Sequence, residues 1–183
     1  MTQDQALDLL HEWTLKDGLR KHAYGVAAAM RAYARKFGED EEKWAVVGLL
    51  HDFDYERYPD AENHPYRGAE VLRGKGLDEE MVRAVLSHAS YTGVPRDTLM
   101  AKTLFAVDEL VGFVTAVALV RPERKVAAVT PKSVRKKMKD HAFARSVNRE
   151  EIVTGAEELG VELNEHIAFV VEAMAGIANE LGL

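Results

Sequence analysis

At 183 residues, with 47% apolar side chains, 30% charged ones and a net charge of −6, the chain has the size and balance of one well-cored soluble domain. It has no cysteine, which excludes disulfides, thiolate metal sites and a cysteine nucleophile, so any metal must be held by nitrogen and oxygen. There is no run of about 18 uncharged apolar residues and no leader pattern at Met1-Thr2-Gln3-Asp4, so a cytoplasmic protein with no membrane partner is expected; the acidic balance argues against nucleic acid.

The spacing of Ala6, Leu9, Leu10 and Trp13 predicts a first helix over residues 2 to 15, capped by Thr2, with His11 beside the apolar stripe as a surface or packing histidine. Asp17-Gly18 opens a second helix that runs to Phe37, where Gly38 stops it. Its apolar face holds Leu19, Val26, Met30, Tyr33 and Phe37, and His22 stands on that face, pointing inward. A third helix begins among the acids at 39 to 42, which suit a helix N-terminus, and runs through Trp44, Val46, Val47, Leu49 and Leu50 into His51-Asp52. An apolar run thus ends in an imidazole and a carboxylate where a core would continue. Burying an ionised carboxylate without a partner costs several kcal/mol, and a metal ion is one way to compensate it.

The loop from Phe53 to Asp60 is a candidate lid or substrate wall. A fourth helix is expected from Asn63, its cap, with His64 in the first turn, and to end at Gly74 and Gly76. Asp78 caps a fifth, in which His88 shares the face of Met81, Ala84 and Val85. After a turn at Thr92-Gly93-Val94-Pro95, the longest helix runs from Thr98 to Leu119 and places Asp108 between Leu104 and Val111 on its inward stripe, while Glu109 turns toward another face. The last third is plainer. Val126 to Thr130 reads as extended, Pro131 opens a basic helical turn, Asn148 caps a helix that Gly160 ends, and Asn164 starts a final amphipathic helix to the C-terminus. The apolar face of that helix could finish the core or meet a second subunit, giving a homodimer. Basic residues crowd one segment: Arg121, Arg124, Lys125, Lys132, Arg135, Lys136, Lys137 and Lys139 face the single acid Glu123.

The order His22, His51-Asp52, His64, His88, Asp108, with the stretches LLHDFDYERYP, NHPYRGAEVL, LSHAS and AVDELVGFVTAVALVRP, resembles the HD superfamily of metal-dependent phosphohydrolases. It is most similar to the subset that carries two extra histidines between the His-Asp doublet and the last aspartate. The resemblance implies an all-α HD-domain helical bundle, one domain over residues 1–183 with its core at about 17–120 and a C-terminal helical extension at about 121–183. It implies that His22, His51, Asp52 and Asp108 hold one metal, that His64 and His88 hold a second, and that Asp52 bridges them. One or two divalent ions are expected, among Fe, Mn, Zn, Co and Mg, with His51 and Asp52 at the catalytic centre.

Cations are then needed for the phosphate oxygens, where charge gathers in the transition state. Arg67, Lys102, Arg121 and the cluster from Lys132 to Lys139 are the candidates, and Lys102 ranks first because it precedes Asp108 on one helix. Family members often place a lysine soon after the doublet as a proton donor; here the loop offers Asp54, Glu56 and Arg57 instead. Three functional readings follow. The first is hydrolysis of a phosphate ester or anhydride in a small molecule, a nucleotide above all. The second is a di-iron oxygenase on the same fold, and the third a metal-stabilised sensing or interaction module without turnover.

Overall fold

A computed structural model describes residues 1–183, and every regular element in it is helical. Helix α1 spans Gln3–Trp13, α2 Asp17–Phe37, α3 Glu41–Leu50, α4 Tyr66–Gly74 and α5 Glu79–His88. Then come α6 at Leu99–Leu119, α7 at Pro131–Met138, α8 at Arg149–Leu159, α9 at Leu163–Ala175 and a short α10 at Ala178–Leu181. Thr2 and Gln5 form a capping box on α1, and the side chains of Asp40, Asp78, Thr98 and Asn148 accept the first free N–H groups of α3, α5, α6 and α8. Gly38 and Gly160 close α2 and α8 in the left-handed conformation.

Helix α3 is buried on every side from Trp44 to Leu50, and α2 lies against it. Their approach is set by Gly48: a Cβ there would stand 2.6 Å from the Ala27 Cα and 2.8 Å from the Ala27 nitrogen. The other axis of the molecule is α6, which touches α2, α3, α5, α8 and α9. One hydrophobic core runs from Ala6 to Leu181 and takes in Val126, Val134, Ile152, Ile167 and Met174, so the C-terminal third closes the core rather than hanging from it. His166 on α9 is buried there with both nitrogens used: Nε2–H donates to the Ala106 carbonyl at 2.9 Å, which leaves Nδ1 to accept from the Tyr33 hydroxyl at 2.6 Å.

Three expectations need correction. Helix α4 starts at Tyr66 rather than Asn63, leaving His64 in the turn before it; Asn63 makes no cap, because its amide donates to Asp60 at 2.8 Å. Residues 126 to 128 form a 3-10 turn instead of an extended piece. The final helix begins at Leu163, capped by Glu162, and breaks at Gly176-Ile177 before α10. The loop after Asp52 is tied down at its outer side: Glu56 accepts the Leu15 and Lys16 N–H groups at 2.8 and 3.0 Å, and Arg57 donates to the Glu12 carbonyl while stacking over Trp13.

Candidate metal centre

All six residues singled out by the sequence converge, in two groups of three: His22, His51 and Asp108, and Asp52, His64 and His88. They come from five separate pieces of chain. His22 lies on α2 and Asp108 in the middle of α6; His51 directly follows α3 and His88 ends α5, so two helix C-termini, the negative ends of their dipoles, face the cluster. Asp52 and His64 sit in the turns between α3 and α4.

Asp52 stands between the groups. Its Oδ1 is 3.2 Å from both the His64 and the His88 Nε2, and its Oδ2 is 3.6 Å from the His51 Nε2. Asp108 Oδ1 lies 2.9 Å from His22 Nε2 and 3.4 Å from His51 Nε2. The imidazoles pack edge to face in a row, His22 to His51 to His88 to His64, with centroids 5.2 to 5.3 Å apart.

Three of these rings have committed their Nδ1–H elsewhere. His51 donates to the Gly48 carbonyl at 2.8 Å, His88 to the Val85 carbonyl at 2.5 Å and His64 to Asp54 Oδ1 at 2.8 Å. A neutral imidazole so engaged presents a bare lone pair at Nε2, and here each lone pair faces carboxylate oxygens, which also carry only lone pairs. Such a set repels itself unless protons or a cation lie between. The fully buried His51 Nε2 has no hydrogen-bond partner at all. An orphaned acceptor, imidazoles oriented through their far nitrogen and two carboxylates together fit divalent metal ions held by nitrogen and oxygen.

Protonation follows the same electrostatics. Burial opposes the charged form of His64, but Asp52 and Asp54 overcome it and push its pKa up to about 9. Burial likewise works against the His51 and His88 imidazoliums, and the nearby Asp52 and Asp108 outweigh it and raise both. Asp52 and Asp108 resist burial in turn, and the histidines around them hold both carboxyls well below the usual carboxylate range. Glu109 is half-buried beside the centre and accepts the Asn148 N–H at 3.1 Å; burial and the adjacent Asp108 push it up to about 7.

None of the cations named from sequence makes an ion pair with this cluster. Lys102 is six residues before Asp108, about 240° around the helix, and its charge acts instead on Glu158, which Arg96 grips through two hydrogen bonds. Arg67 bonds Asn63 and Glu70, and Arg121 pairs with Glu123 at 3.7 Å. Sequence reading missed two contributors. Asp54, one of the loop residues standing where family members often carry a lysine, is 1% exposed and committed to His64 and to the Gly68 N–H. Tyr91 donates its hydroxyl to the His64 carbonyl at 2.9 Å. Tyr55, Tyr66 and Tyr91 are 40%, 38% and 53% exposed, the only open aromatic side chains of the protein, and they gather on this side: the Tyr55 ring meets His64 edge-on at 5.2 Å.

A protein-family model described as HD domain matches residues 19–111, a stretch that begins just before His22 and ends just after Asp108. No curated protein and no solved structure matches the chain.

Proposed function

Since the chain belongs to the HD domain family, whose members are commonly metal-dependent phosphohydrolases, we propose that it hydrolyses a phosphate ester or anhydride of a small molecule, with a nucleotide as the substrate class. The observation that carries this reading is the pair of three-residue ligand groups with Asp52 between them. Two divalent ions bound there would supply Lewis acidity toward phosphoryl oxygens and a water acidic enough to attack near neutral pH.

The protein's own residues do the rest. His22, His51 and Asp108 would hold one ion and His64 and His88 the other. Asp52, which stands between the two groups, would lend negative charge to both. The Gly48 and Val85 carbonyls and Asp54 hold the three imidazoles in the tautomer that coordinates. No arginine or lysine makes an ion pair with the six, so charge on the phosphate falls to the metals rather than to Lys102. The three exposed tyrosines offer flat apolar faces beside the centre, which suit a planar base better than an aliphatic alcohol.

Metal-loaded protein assayed against nucleoside phosphates, cyclic nucleotides, dinucleoside polyphosphates, glycerol phosphate and chromogenic phosphate esters is expected to release phosphate or a nucleoside monophosphate from at least one nucleotide. Turnover confined to the aliphatic ester would contradict the nucleotide assignment. Inertness toward the whole panel, with oxygen uptake by the iron-loaded protein, would overturn the hydrolase in favour of the di-iron oxygenase. Stoichiometric metal without either reaction would leave the sensing module.

A further inference from the structure

The imidazoles of the centre are not held alike. His51 and His88 each donate Nδ1–H to a carbonyl three residues earlier, Gly48 and Val85, so the last turn of the local helix fixes those rings. His64 has no such support, since it lies in the turn ahead of α4. Its ring is oriented by a side chain ten residues away, the buried Asp54, whose Oδ1 accepts Nδ1–H at 2.8 Å. The other oxygen, Oδ2, accepts the Gly68 N–H at 2.7 Å, on the third residue of α4. One carboxylate therefore aims the ligand and caps the helix that follows it.

Space at this junction is fully used. A Cβ on Gly68 would stand 2.8 Å from the Asp54 Cγ, 2.9 Å from its Oδ2 and 3.0 Å from the Phe53 ring. Asp54 makes no hydrogen bond to His22, His51 or Asp108.

We propose that Asp54 is a positioning residue that governs metal occupancy of the Asp52, His64 and His88 group and leaves the His22, His51 and Asp108 group unaffected. The inference rests on the reading that the centre binds metal. A carboxylate bonded to the far nitrogen of a ligand histidine fixes the ring and strengthens it as a donor, and losing such a partner typically lowers metal affinity about 10- to 100-fold. Asn is a poor replacement here. Both neighbours of Asp54 are N–H donors, and a carboxamide has one acceptor oxygen, so Asp54→Asn must turn its NH2 toward either His64 or Gly68.

The test is metal content of the full-length protein after dialysis against a fixed free Mn2+ concentration, for wild type, Asp54→Asn and Gly68→Ala. Wild type should hold two equivalents and each variant about one, with the weaker equivalent recovered only at about 10- to 100-fold higher free Mn2+. Gly68→Ala displaces Asp54 without removing any ionisable group, and it keeps the test alive if Asp54→Asn does not fold. Two equivalents bound as tightly in folded variants as in wild type would overturn the proposal, and so would loss of both equivalents together, the mark of general damage to the fold. A wild type that takes up no Mn2+, Co2+, Zn2+ or Fe2+ would sink the underlying metal-centre reading instead, and this inference with it.

Discussion

His51, His64 and His88 can each serve as proton acceptor or metal ligand at Nε2, and which of the two they do depends on what is bound between them and the carboxylates. In the metal-free protein the folded His64 has a pKa of about 9, above the ordinary value of about 6.5. A raised pKa stabilises the fold fully below about 6.5 and ceases to do so as pH climbs through about 9. Chelator-treated protein is therefore expected to lose thermal stability between those values, and thermal unfolding across that range checks it. Metal must displace those protons, so metal binding at pH 7 should release protons to the buffer, read as a dependence of the binding heat on buffer ionisation enthalpy. The ligand residues were legible in the sequence because an ionisable group on an apolar helical face is a conflict that periodicity exposes. Asp54 and Tyr91 were not, since their partners His64 and Gly68 are local in space and distant in chain. Lys102 misled for a related reason: rise along α6 puts it near Asp108, while rotation about the axis turns it to Glu158.

Helices as units were the most readable part of the molecule, and most of their ends were readable where the cap is local, although α9 is capped by Glu162 and does not start at Asn164. Asp40, Asp78, Thr98 and Asn148 cap from the adjacent residue. Helix α4 differs, because its N–H at Gly68 is satisfied by Asp54 from the preceding loop, and no local pattern reveals that. The close approach of α2 and α3 depends on Gly48. Gly48→Ala would press a methyl carbon into the Ala27 backbone, which cannot swing aside as a side chain would. It is expected to cost at least about 2 kcal/mol, seen as a lower denaturant midpoint with an unchanged slope. His166 joins α9 to α2 and α6 by hydrogen bonds at both nitrogens, and burial keeps it neutral by lowering its pKa. His166→Phe would strand the Tyr33 hydroxyl and take a second donor from the Ala106 carbonyl, at a cost of about 1 to 3 kcal/mol by the same measurement.

At the scale of the whole molecule the C-terminal third belongs to the core. Ile152 on α8 and Ile167, Val170 and Met174 on α9 are fully buried, and α8 and α9 both pack on α6, the helix that carries Asp108. A chain ended after Val120 would leave that face of α6 in water; such a fragment is expected to show no cooperative thermal transition and rapid proteolysis. Sequence could place the boundary of the ligand pattern but not this dependence, because apolar stripes on α8 and α9 do not say which helix they meet. The same limit applied to the ligands themselves: His22, Asp52, His64 and Asp108 are spread over most of a hundred positions, and only the folded chain brings them together. Crystals grown with Mn2+ and measured by anomalous scattering test that arrangement most directly. Two peaks are predicted, one bounded by His22, His51 and Asp108, the other by His64 and His88, with Asp52 reaching both. A map without signal among these residues, from protein shown to carry manganese in solution, would contradict the account.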